Sequence, residues 1–343
     1  MPRRDEIRIG LYGTNGHQLP LDLPPRARVV AVANYPREDL DPAIRVYDDL
    51  PALLADREVD LVSLCSARRI EQADQAIQCL WAGKHVLAEK PCAFSADRLD
   101  EILIATAATG RAFREMAASE LAPPLQAIRR LVDQGTLGTI VHVQAQKSYP
   151  WHDDRPQDTA VDGGLVRQVG IHAVRFIHGA TGQRIKAVWG SSTGLGNPGQ
   201  GEIQMAAAFA IELENGALGT INLNYLNPDN FGVWGNDQLR VFGTEGMVET
   251  VDGFRRSRLY LPGRESTDLP IPEDLVSPTY IEHYVRFLLE GKRMPTPFQE
   301  EMAMTRAMIA LHEASVSGER VVVPYPVGDS PLQLPFDGLR ATV

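Results

Sequence analysis

Two stretches hold the residues whose types and order could do chemistry. The first reads Gly83-Lys84-His85-Val86-Leu87-Ala88-Glu89-Lys90-Pro91. A helix ending at Gly83 and an apolar strand over 85–88 would put Lys90 at the carboxyl end of that strand. In an open α/β sheet this end faces the crevice where ligands bind. Pro91 stops the strand and fixes φ for the turn, and Glu89 can hold the ammonium in place. The second stretch reads Gly163-Gly164-Leu165-Val166-Arg167-Gln168-Val169-Gly170-Ile171-His172 and opens a helix toward Gly182. A neutral imidazole near physiological pH suits proton transfer. Each stretch alone has a plainer reading: a surface lysine on a turn, and a core histidine on a helix face.

The elements that must position these residues follow from periodicity. Short apolar runs at 7–12, 28–33, 44–47, 59–65 and 85–88 read as strands, with a further one at 111–116. Helical patterns lie between them at 50–55, 71–82 and 96–108. Strands alternating with helices at this spacing mean a parallel sheet covered on both faces. The helix at 125–134 stops at Gly135, and the pattern then changes. Residues 139–148, 187–191, 202–213, 217–225 and 238–242 alternate as strands, with turns at Asn215-Gly216 and at 243–246. Helices follow at 280–290 and 300–317. The expected fold is α/β: an N-terminal Rossmann domain with a doubly wound parallel sheet over 1–122, then an α+β domain over 123–325 with an open, mostly antiparallel sheet. A Pro-rich, extended C-terminal tail would cover 326–343.

Composition narrows the function classes. The chain has 343 residues, 44% hydrophobic and 23% charged, enough for two domains with real cores. Its formal charge of -10 argues against nucleic acid or an anionic membrane surface as the main partner. Cys65, Cys79 and Cys92 form no C-x-x-C pair and read as reduced, mostly buried thiols. The N-terminus shows no signal-peptide pattern and no apolar run reaches membrane length, so a cytoplasmic protein is expected. His152 with Asp153 and Asp154 lacks a matching pair at ligand spacing, so no metal site is expected.

Together the two chemical stretches resemble the glucose–fructose oxidoreductase / inositol dehydrogenase family (Gfo/Idh/MocA), over nearly the whole chain. The resemblance implies hydride transfer between nicotinamide and an alcohol carbon of a sugar, cyclitol or sugar acid. Lys90 then matches the lysine near the substrate oxygen and His172 the acid/base. Gln168 takes the place of the usual carboxylate and would position both. The acid usual three residues after the histidine is Arg175, so a more electropositive pocket is expected, one that would suit an anionic substrate carrying a carboxylate or phosphate.

The cofactor, NADP or NAD, would meet Gly13, Asn15, Gly16, Asn34, Arg37, Ser66 and Glu89. The turn reads Gly13-Thr14-Asn15-Gly16-His17-Gln18, where the family shows Gly-x-Gly-x-x-Gly. Pro24 and Pro25 should end the following helix early. Asn34, lacking a carboxylate, and Arg37 nearby tilt the choice toward NADP. Arg68, Lys147, Tyr149, Trp151, Arg175 and Trp234 are the candidate substrate contacts, with Arg69 an alternative to Arg68. The family resemblance also implies a homodimer or homotetramer. The combined departures at Asn15, Gln18, 67–69 and Gln168 leave a second reading open: a cofactor-independent member, either a ligand-binding regulatory protein or a non-redox enzyme.

Overall fold

The computed structural model describes residues 5–325 apart from 39, 270 and 276–278; the tail expected at 326–343 lies outside the described residues. The first sheet has six parallel strands in the order β3-β2-β1-β4-β5-β6: β1 (Ile7–Tyr12), β2 (Ala27–Ala33), β3 (Arg45–Tyr47), β4 (Leu61–Leu64), β5 (His85–Glu89) and β6 (Phe113–Met116). β4 and β5 are buried along their whole length, as a sheet covered on both faces requires. Helices α1 (Leu50–Ala55), α2 (Gln72–Trp81) and α3 (Ala96–Thr109) are the connections. Their ends are chemically marked. Asp49 and Ser95 accept the N–H groups of Ala52 and Arg98, and Gly110 closes α3 with φ 64°.

One expected helix is missing. The sequence implied a short helix after β1, but residues 13–26 contain none. Three prolines in that run, Pro20, Pro24 and Pro25, lack the N–H groups a helix needs. The chain instead crosses as an irregular strap. Leu19 and Leu23 of the strap lie on the cluster formed by Ile7, Ile9 and Leu11 of β1. A helix from far along the chain joins the same cluster with Ile281, Tyr284 and Leu288, and the Tyr284 hydroxyl donates to the Val86 carbonyl at 3.0 Å.

The second sheet has nine strands. After α4 (Pro123–Asp133) come β7 (Ile140–Pro150), α5 (Thr159–Asp162), α6 (Gly164–Thr181), β8 (Ile185–Thr193), β9 (Ala206–Leu213), β10 (Leu218–Asn227), β11 (Gln238–Gly243), β12 (Gly246–Val251), β13 (Arg256–Tyr260) and β14 (Thr267–Asp268). α7 (Tyr280–Glu290), α8 (Phe298–Ser317) and β15 (Val321–Val322) complete the described chain. All pairs in this sheet are antiparallel except β10 with β7. The sequence reading lacked β12 to β14. Arg256–Tyr260 is polar at several positions and shows no clean alternation of buried and exposed residues.

Candidate active site

The two chemical stretches meet where β5 ends and α6 begins. Gly163 and Gly164 adopt φ of 102° and 66°, which L side chains rarely do. A Cβ on Gly163 would stand 3.1 Å from Pro91 Cγ, so the glycine lets the helix start lie against the Lys90 turn. Lys90 is 2% exposed. Its Nζ donates to the main-chain carbonyl of Gln168 at 3.2 Å. In helical geometry that carbonyl also serves the N–H of His172, four residues on. Lys90 and His172 are therefore joined through one peptide group, and it is the backbone of Gln168 that positions them.

The electrostatics suit proton transfer. Burial pulls the Lys90 ammonium down to about 8 against the nearby Glu89 charge. The His172 ring is held well below its ordinary value by burial first, then by the charges of Lys90, Lys147, Arg175 and His17. It is neutral at physiological pH. Its Nδ1 lies 2.5 Å from the Ser119 hydroxyl, and its Nε2 is enclosed with no partner among the described residues. Glu89 does not bond to Lys90, contrary to expectation. Its Oε1 meets His17 Nδ1 at 2.9 Å and Arg69 at 3.8 Å. Burial works to raise the Glu89 carboxyl, but the His17 bond and the Lys90 and Arg69 charges hold it below its ordinary value.

The second sheet supplies the outer wall. Lys147 Nζ pairs with Asp237 at 2.7 Å and sits 4.6 Å from the centre of the Tyr149 ring. Trp151 meets Tyr225 edge-on at 6.5 Å, and Arg155 lies 3.7 Å over the same Tyr225 ring. Trp234 is 58% exposed and stacks on His152 at 4.6 Å.

Two expected substrate contacts are corrected. Arg175 is fully buried, its Nη1 donating to both Glu120 oxygens and its Nη2 to Glu115, each at 2.9 Å. Its donors are taken by two carboxylates, so it offers no hydrogen bond to a substrate anion. Arg68 points outward and pairs with exposed Asp158. Arg69 is the arginine in the crevice, 3% exposed, donating to the Lys90 carbonyl at 2.7 Å and to the Asn15 carbonyl. A pair of adjacent arginines offers no sequence signal for which one turns inward.

The remaining cofactor candidates lie along the carboxyl ends of β1, β2 and β4. Asn34, with φ 47°, shares an open groove of about 410 Å³ with Tyr35, Pro36, Arg37, Tyr47 and Asp48. Arg37 pairs there with Asp48 at 2.7 Å. Ser66 is buried, its hydroxyl on Gln75. Gly13 and Gly16 do hold the turn after β1: a Cβ on Gly13 would stand 2.1 Å from the Cys65 carbonyl, and one on Gly16 2.7 Å from Glu89.

The space between β1 and β4, where the strand order reverses, is occupied by the chain itself. Gln18 Nε2 donates to the carbonyls of Tyr12, Gly13 and Ser63 at 3.2, 2.9 and 3.2 Å. Asn15 Nδ2 reaches the carbonyl of Val161 at 2.7 Å and that of Ala67 at 3.2 Å. Gln18 and His17 were not among the expected site residues, and Arg69 was expected only as an alternative to Arg68. Only the loss of the third glycine at Gln18 hinted at a change there.

Comparison with known proteins agrees with this architecture. Residues 9–115 match the model of the oxidoreductase family, NAD-binding Rossmann fold, and residues 125–249 match the GFO/IDH/MocA C-terminal domain. NAD(P) is accordingly the cofactor class of this domain type. The uncharacterized oxidoreductase YrbE of Bacillus subtilis is 27% identical over 59% of this chain and 58% of its own length. The trans-1,2-dihydrobenzene-1,2-diol dehydrogenase of Bos taurus is 25% identical over 66% of this chain and 65% of its own. The chain thus spans less than two thirds of either relative. Among solved structures, a Bordetella pertussis dehydrogenase in complex with NADH and UDP-GlcNAcA superposes with a TM-score of 0.76 at 19% identity, over 94% of this chain and 99% of the other, a likeness of fold. With both halves matched and the lysine and histidine brought together, the chain belongs to the Gfo/Idh/MocA oxidoreductase family.

Proposed function

We propose that this chain is an NAD(P)-linked dehydrogenase or reductase acting on an alcohol carbon of a sugar, cyclitol or sugar acid. The observation that carries the reading is the Gln168 carbonyl that receives the Lys90 ammonium on the helix of His172, whose ring feels the Lys90 charge. The cofactor supplies the hydride acceptor or donor when bound. The protein's part is proton transfer and charge. Neutral His172 takes the hydroxyl proton at Nε2, or returns it from there in the reverse direction. Lys90 donates to the substrate oxygen as negative charge develops on it. Lys147, paired with Asp237, and the rings of Tyr149 and Trp234 form a polar and aromatic wall suited to a hydroxylated ring.

The residues fit the cofactor unevenly. The Asn34 groove offers an amide for a ribose hydroxyl and, in Arg37, a cation for a 2′-phosphate, which favours NADP. The Gly13 and Gly16 turn and Ser66 would face the middle of the dinucleotide. There, however, no helix N-terminus provides the usual anion site, and the side chains of Gln18 and Asn15 lie across the turn. That crowding specifically favours a second reading, a cofactor-independent member that binds a small polar ligand at Lys90 and His172. A homodimer or homotetramer built on the second sheet, and a cytoplasmic location, belong with the first reading.

The test is a panel of sugars, cyclitols and sugar acids with NAD or NADP, followed at the nicotinamide absorbance band, with Lys90→Met alongside. Turnover by the native chain and loss in the variant supports the dehydrogenase. Ligand binding without turnover on any cofactor supports the second reading.

A further inference from the structure

His172 has one protein partner on its ring, and that partner is a hydroxyl. Ser119 Oγ lies 2.5 Å from Nδ1, while Nε2 is enclosed and unpartnered. A carboxylate or carbonyl at Nδ1 would fix the proton on that nitrogen, because it can only accept. A serine can either donate or accept. When it accepts from Nδ1–H, Nε2 presents a lone pair to a substrate alcohol. When it donates to Nδ1, Nε2 carries the proton that a substrate carbonyl needs.

The hydroxyl is held in place by a buried brace. Ser119 begins a single 3-10 turn with Glu120 and Leu121. Glu120 receives Arg175 through both oxygens and the Thr296 hydroxyl at 2.9 Å. Arg175 stands one helical turn beyond His172 on α6, and its other nitrogen holds Glu115. The second oxygen of Glu115 accepts the N–H of Cys92 at 2.8 Å, two residues past Lys90. One guanidinium therefore ties together the turn that carries Ser119, the helix that carries His172 and the turn that carries Lys90.

We propose that Ser119 is a positioning residue that lets His172 exchange between its two neutral tautomers, and that the Arg175 brace fixes Ser119 for this purpose. The proposal rests on the acid/base role given to His172 above. Its test does not need turnover. The protein is labelled with ¹⁵N-histidine, and the His172 ring signals are assigned by their loss in His172→Gln. In the native chain both ring nitrogens should show shifts intermediate between the two tautomers. In Ser119→Ala they should move to the values of a single tautomer, and Ser119→Thr should restore the intermediate values.

With a substrate in hand, Ser119→Ala should lower kcat about tenfold with KM held within about twofold, and Ser119→Thr should recover it. Unchanged ring shifts in folded Ser119→Ala, or an alanine variant as active as the threonine one, overturn the proposal. A tautomer shift in a protein that turns over no alcohol leaves Ser119 in this role and rejects the redox reading instead.

Discussion

The turn after β1 and the junction of β5 with α6 both lie at the carboxyl ends of strands in the first sheet, and they are built differently. At the junction, the groups that the proposed proton transfer would use stand close together. Two glycines allow close approach, a lysine is depressed by burial, and a histidine is neutral with one nitrogen free. At the β1 turn the helix is gone, and three of the chain's own side chains, Asn15, Gln18 and Arg69, take up hydrogen-bonding positions along the crevice. The chemistry proposed at the junction depends on a few side chains, Lys90 and His172 above all. Anion binding at the turn depends on backbone geometry, which a short Pro-containing strap can lose without unfolding the sheet. Leu19, Leu23 and α7 cover the exposed face instead.

The comparison can be broken most strongly at Lys90. Lys90→Met should reduce kcat by about 10²–10³ while dinucleotide binding stays within about twofold, since removing one donor to a developing oxyanion costs that much. An equal loss from Gln18→Ala would mean the two regions do not differ in role.

The next effect is on stability. Arg175→Met strands Glu115 and Glu120 in the interior, and breaking a buried pair in this way costs about 3–5 kcal/mol. Arg68→Ala, which removes only an exposed pair, should cost about 1 kcal/mol or less. Denaturant midpoints of the two variants measure the contrast directly. A small change for Arg175→Met would show that the brace does not tie the junction together.

pH gives a graded test. Lys90 acts as a cation, so with its ammonium at about 8 the rate should fall about tenfold per unit above that pH. The stability sign is the reverse. Between about 8 and the ordinary lysine value of 10.5, the unfolded chain holds a proton that the folded chain has released. The cost of burying this group is thus fully present below 8 and is relieved as pH rises through that window. Lys90→Met should abolish the Lys90 share of this slope. A native profile that is flat from 7 to 10 would remove Lys90 from the chemistry.

The sequence carried much of this. The parallel sheet was legible because β1, β2, β4 and β5 are continuous apolar runs separated by helical periods. That Lys90 and His172 stand on neighbouring elements was legible from the family resemblance and from the glycine and proline residues around them, which set the turns. Arg175 was misread because a charged residue one turn past a site histidine looks like a ligand contact. Only the fold shows Glu115 and Glu120, distant in sequence from it, closing on its guanidinium. The choice between Arg68 and Arg69 hangs on a single 3-10 turn, Arg69–Glu71, that periodicity cannot resolve. Ser119 gave no signal at all, since its role exists only through a contact across 53 positions of chain.

The measurement that bears most directly on the account is calorimetric titration of native and Gln18→Gly protein with NADH and NADPH. The substitution removes the side chain that lies across the reversal of strand order and places a glycine at the third position of the turn. It should lower the stability of the free protein by about 1–3 kcal/mol, because the carbonyls that Gln18 bonds lose their donor. The account predicts that the native chain binds, NADPH ahead of NADH, and that Gln18→Gly binds about tenfold tighter, roughly 1.4 kcal/mol. Absence of binding by both proteins up to millimolar concentration would contradict it and leave Lys90 and His172 to a reaction that uses no dinucleotide.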